Sequence, residues 1–99
     1  MLVHKDRLTG TTSSGALTLT SSRFCGVLCS QIMVAPATSS TTYDLSITDS
    51  DSDTVFDDFN VEGTLLREVR IPMSGVYTIT ISNASADEAF VVKFGTEEN

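Results

Sequence analysis

The residues best equipped for chemistry are the carboxylates of Asp49-Ser-Asp-Ser-Asp53, with Asp57 and Asp58 close behind. Alternating carboxylates are hard oxygen ligands of the kind that hold Ca²⁺. As a calcium loop the run fails at two places. Thr54 stands at the sixth position, where Gly is needed for the turn, and Asn60 at the twelfth, where a bidentate Glu is expected. Both flanks read as strands, so the helix–loop–helix setting is missing. The competing role is a polar hairpin turn, in which Asp and Ser accept hydrogen bonds from nearby amides. Asp49, Asp51 and Asp53 are therefore weak metal candidates, and no cofactor is expected.

The other reactive residues do not assemble into a site. Cys25 and Cys29 are the only cysteines and His4 the only histidine. On one regular strand the two thiols share a face about 13 Å apart, too far for a disulfide, which needs Cα atoms within about 7 Å. They read as small packing residues, and zinc has too few soft ligands here. Asn83-Ala-Ser85 fits a glycosylation sequon but reads as a turn cap. Arg67, Glu68 and Arg70 decorate one strand, as a solvated edge or an interface ion pair. There is no Gly-x-Ser-x-Gly elbow, no phosphate-cradling Gly-rich loop and no base beside a placed nucleophile. The expected protein is not an enzyme.

The elements that would position these groups are strands. Gly75-Val-Tyr-Thr-Ile-Thr-Ile-Ser-Asn83 alternates Tyr77, Ile79 and Ile81 with Thr78, Thr80 and Ser82. A period of two gives one apolar and one hydroxylated face. Phe90, Val92 and Phe94 repeat the pattern after a polar connection, which predicts an antiparallel closing pair. Further strands are expected over residues 2–9, 16–21, 26–34, 43–48, 55–59 and 65–71. The third has Leu28, Ile32 and Val34 inward, the fifth is short and acidic, and the sixth is stopped by Pro72. Ala35 to Thr42 is the longest connection, a flexible loop or contact arm, and Glu97-Glu98-Asn99 reads as a solvated tail. Turn signals at short intervals indicate a sandwich or barrel. The expected fold is all-β: one antiparallel β-sandwich of about eight short strands, jelly-roll or immunoglobulin-like, over residues 1–99.

Composition narrows the function. The 99 residues suit one domain. Six basic against thirteen acidic residues leave a net charge of −7. That disfavours direct nucleic-acid binding, which needs a basic surface, and suits solubility or docking on a basic partner. No apolar run is long enough for a membrane helix, and Met1-Leu-Val-His-Lys-Asp-Arg-Leu lacks the stretch of a secretory signal.

The layout resembles a group of small β-sandwich proteins from the structural-gene modules of tailed bacteriophages. The resemblance rests on Thr11-Thr-Ser-Ser-Gly-Ala-Leu-Thr-Leu-Thr20, Gly26-Val-Leu, Tyr43-Asp-Leu-Ser-Ile-Thr-Asp49, and Gly75 to Ala84 with the strand after it. It departs at the cysteine pair and the acidic strand, and it carries over no functional residue. It implies a virion structural protein, made in the host cytoplasm: a capsid decoration or cement subunit contacting the major capsid protein, or a head–tail junction or tail subunit. Such a protein is expected to be homo-oligomeric, with Thr78, Thr80 and Ser82 as the interface to examine. The competing reading is a carbohydrate- or surface-binding module. Against it stand the lack of Trp and the inward parity of most of the seven aromatics, since a sugar platform needs exposed rings.

Overall fold

The computed structural model describes residues 2–98, with side chains over residues 6–97. The His4 side chain and the ends at Met1 and Asn99 therefore lie outside the described residues. Eight strands follow in order: β1 (Leu2–Thr11), β2 (Leu17–Thr20), β3 (Phe24–Pro36), β4 (Thr42–Thr48), β5 (Thr54–Glu62), β6 (Leu65–Gly75), β7 (Thr78–Ser82) and β8 (Ala89–Glu98). They form two four-stranded antiparallel sheets, ordered β1-β8-β3-β6 and β2-β7-β4-β5. This interleaving of early and late strands is the jelly roll, so the fold is that member of the expected sandwich class rather than the immunoglobulin one. No helix among the described residues is long and apolar enough to cross a membrane.

The two sheets close on one layer of side chains. Ile32, Val34, Leu45, Ile47, Ile79, Ile81, Val92 and Phe94 are each fully buried. Rings fill the ends of the layer. Tyr43 meets Phe90 edge-on at 5.0 Å, and Phe24 contacts both Tyr77 and Phe94 at about 6 Å. These separations suit tilted and edge-to-face ring pairs. The Tyr43 hydroxyl donates to the Gly63 carbonyl at 2.7 Å. Burial, reinforced by the charge of Asp58, pushes its pKa up to about 12, against a backbone hydrogen bond with Leu65.

Strand partnership departs from the expected closing pair. β7 lies between β2 and β4, and β8 between β1 and β3, in the other sheet. Both strands face the same core from opposite sides, and alternation alone does not distinguish that from pairing. The connection between them is held by Thr12. Its backbone N–H donates to the Glu88 carbonyl, and its hydroxyl accepts from the Glu88 N–H and donates to the Ser85 carbonyl.

Bulges account for most other differences. β3 shifts register between Phe24 and Val27 and again between Cys29 and Gln31. The first shift leaves Cys25 exposed beside Gly26, whose φ is +64°. Cys29 is buried, so the two thiols do not share a face. Cys29, not Leu28, takes the fully buried position ahead of Ile32 and Val34. Pro72 does not stop β6, because β6 is an edge strand and tolerates a residue without an N–H. β5 is longer than the short strand expected, and Glu97 and Glu98 belong to β8 rather than to a tail. The stretch expected as a flexible arm is pinned. Ala35 and Pro36 extend β3, the Ala37 N–H donates to the Ala89 carbonyl, and the Thr38 N–H to the Glu88 carboxylate.

The alternation sets a direct contrast on β7. Ile79→Ala should cost about 2–5 kcal/mol, because it cuts a cavity in a sealed layer. Thr80→Ala, one residue along and facing out, should stay within about 0.5 kcal/mol. Urea unfolding of both variants measures the difference.

Candidate functional site

The outer face of the β2-β7-β4-β5 sheet is a hydroxylated plate. Because Leu17, Leu19, Leu45, Ile47, Ile79 and Ile81 turn toward the core, their neighbours turn out. Register then aligns the outward residues in rows. Thr18 stands opposite Thr80, Thr80 opposite Ser46, and Ser46 opposite Asp57. Thr20, Thr78 and Thr48 form the next row. Strands in such a sheet lie about 4.8 Å apart, and outward residues recur about every 6.8 Å along each strand. Thr78, Thr80 and Ser82, the three residues expected to form an interface, lie within this plate, all half-buried by their neighbours. Thr18, Thr20, Ser46 and Thr48 extend it. They belong to strands whose own alternation was legible but whose adjacency was not.

One corner of the plate is more elaborate. Asp44 pairs with Ser82 on β7, while β5 bulges opposite it between Asp58 and Val61. The Asn60 N–H donates to Asp44 Oδ1 at 2.9 Å, and Asn83 Nδ2 donates to Oδ2. These bonds, the Asn60 backbone first and the Asn83 amide second, hold the Asp44 carboxyl below its ordinary value. Both asparagines occupy the left-handed region, at φ +55°. Asn tolerates that region better than most residues, and such strain concentrates at functional corners. Phe59, carried on the bulge, is 60% exposed. It is the exception to the inward parity expected of the aromatics. A bulge adds one residue and re-aims its neighbours on the strand, and composition carries no signal of that.

The Asp-rich run is a turn. Asp49 Oδ1 accepts the amides of Asp51 and Asp53, each at 2.9 Å, and the Ser52 N–H donates to the Asp49 carbonyl. One oxygen each from Asp49, Asp51 and Asp53 falls within 4.8 Å of the others, a spacing a cation could bridge. In the turn, Asp49 Oδ1 is already engaged by two backbone amides.

Charge also lies along the edge strands β5 and β6. Among the described residues, Arg67 forms an ion pair with Asp58 at 2.9 Å. It joins the edge strand of one sheet to that of the other. On the outer face of the β1-β8-β3-β6 sheet, the second β3 bulge and Gly95 leave an open groove of about 770 Å³. Ser30, Gln31, Glu68, Arg70 and Glu97 line it.

No protein-family model and no curated protein matches the chain. Solved structures do match in fold. A Bacillus licheniformis lipase in propeptide form superposes with a TM-score of 0.70 at 20% identity, over 99% of this chain but only 23% of the lipase. The Aeromonas hydrophila periplasmic inhibitor of g-type lysozyme gives 0.59 at 12% identity, covering 93% of this chain and 86% of the inhibitor. A carbohydrate-binding module of Cellvibrio mixtus lichenase 5A, in complex with cellotriose, gives 0.51 at 9% identity, covering 94% and 88%. At such identities the likeness is one of small β-sandwich fold.

Two measurements probe this geometry. Asp44 is stabilised in its charged form by folding, so its contribution is present above the ordinary value of 3.8 and is lost as pH falls through the lowered one. Asp44→Asn should therefore flatten the acid side of the stability–pH curve relative to the parent chain, read by urea unfolding from pH 5 downwards. A thiol reagent such as DTNB should modify one cysteine, Cys25, in the folded chain and both in urea, because Cys29 is sealed in the core.

Proposed function

We propose that the chain is a non-enzymatic structural subunit of a tailed-phage virion, which acts by contact rather than by chemistry. Its principal partner is the major capsid protein, to which it docks as a decoration or cement subunit. A place at the head–tail junction or in the tail would use the same surfaces. The observation that carries this reading is the hydroxylated plate of Thr18, Thr20, Thr78, Thr80, Ser46 and Thr48. It offers a flat array of short donors and acceptors without a large apolar patch. Such a face forms wet, hydrogen-bonded contacts and remains soluble before assembly.

The remaining features support the same role. Jelly rolls are a common architecture of capsid and lectin domains, so the fold raises the prior without assigning the function. The net charge of −7 keeps free copies apart and favours a basic docking surface. Repetition of identical subunits on a symmetric shell suits homo-oligomeric assembly. The buried carboxylate Glu88 is tied to the backbone by the Thr38 N–H, a structural role at the end of β3.

Light scattering and co-sedimentation with purified heads of the encoding phage test the proposal. The parent chain should pellet with heads and form a defined homo-oligomer. Thr80→Lys with Thr18→Lys should abolish pelleting while leaving the melting temperature within a few degrees, as surface changes do. A strict monomer that stays in the supernatant with heads would sink the decoration role.

A further inference from the structure

The corner of the plate around Phe59 has a chemistry different from the rest of that face. The ring projects from the β5 bulge and is 60% exposed. The next residue, Asn60, gives its N–H to the Asp44 carboxylate, which the Asn83 side-chain amide also holds. Each carboxylate oxygen uses one acceptor site for those bonds and keeps further lone pairs free. Ser82 stands opposite Asp44 and adds a hydroxyl. An exposed ring and a fixed polar edge thus share one corner of the sheet, where Asn60 and Asn83 both take left-handed φ.

We infer that this corner is a binding site for a neutral or amino pyranose, with Phe59 as the stacking platform and Asp44, Asn83 and Ser82 as the polar edge. Corner and ligand are complementary in chemistry. A pyranose presents axial C–H groups on one face, which the negative face of an aromatic ring attracts, and hydroxyls around its rim. A fixed carboxylate accepts from two adjacent hydroxyls without losing side-chain entropy, because its orientation is already set. A protein partner that anchored on Phe59 would have to cover Asp44 and Asp57 as well, at the cost of desolvating both charges. The same two carboxylates repel uronic and sialic acids, so the class is neutral or amino sugar. A single ring and an open face make the site shallow and the affinity low, with a long oligosaccharide gaining from the hydroxyl rows that run away from the corner.

Sugar binding here is independent of the virion role, and its test reads neither capsid binding nor oligomeric state. The chain is applied to an array of neutral, amino-, uronic and sialylated oligosaccharides. ¹⁵N NMR titration then follows with a retained neutral oligosaccharide. Retention of neutral or amino sugars is expected, with amide shifts concentrated at Phe59, Asn60, Ser82 and Asn83. Phe59→Ala should weaken binding about tenfold or more, Phe59→Tyr should keep it, and Asp44→Asn should weaken it with the spectrum still dispersed. Failure to retain any neutral or amino sugar, preference for acidic ones, shifts elsewhere on the molecule, or an unchanged affinity in Phe59→Ala would each overturn the assignment.

Discussion

One layer of apolar side chains, clamped between two sheets, is the constraint on which the rest of this molecule depends. Each strand can supply that layer only on alternate residues, so every inward Ile or Leu dictates an outward neighbour. The hydroxylated plate is thus the complement of the core. Leu19, Ile79 and Ile47 face in, and Thr20, Thr80 and Ser46 face out, for the same geometric reason. A one-residue slip of β7 would bury three hydroxyls and expose two fully buried isoleucines. The register that stabilises the fold is therefore the same register that arranges the surface.

The sandwich does not close into a barrel, so four strand edges remain, on β1, β2, β5 and β6. Open edges invite pairing with other chains, and natural sheets blunt them with charge, proline and bulges. All three devices occur here. Arg67 and Asp58 pair across the gap between β6 and β5, Pro72 sits within the edge strand β6, and β5 bulges opposite Asp44. Asp6 on β1 accepts a hydrogen bond from the Ser22 hydroxyl at another margin. An exposed ion pair adds little stability. Its greater effect is to place charge where an incoming strand would have to bury it.

The fold class and most of the core were legible in the sequence, because alternation is a local signal. Tyr77, Ile79, Ile81, Phe90, Val92 and Phe94 are all buried, as their parity predicts. Partnership was not legible. The polar run 83–88 reads like a hairpin turn, yet it carries the chain from one sheet to the other. Bulges were also hidden, since an added residue changes parity without changing composition. That is why Leu28 and Cys29 exchange roles, and why the fifth strand, read only as short and acidic, carries an exposed phenylalanine. The hydroxyls of β7 were visible as a face, but the rows they share with β2 and β4 depend on long-range register. The Asp49 turn was legible because its bonds reach only four residues along the chain.

The pairing of β1 with β8 has a consequence in time as well as in space. β8 is the sole sheet neighbour of β1, joined from Leu2–Glu98 to Thr11–Ala89. On the ribosome, β1 emerges before β8 and has no sheet partner until β8 has been made. The nascent chain therefore waits with an unsatisfied edge, and its closure is a long-loop event of the slow kind. High acidity and abundant hydroxyls keep such a waiting chain hydrated. Properties useful on the finished surface also protect the unfinished polypeptide during synthesis.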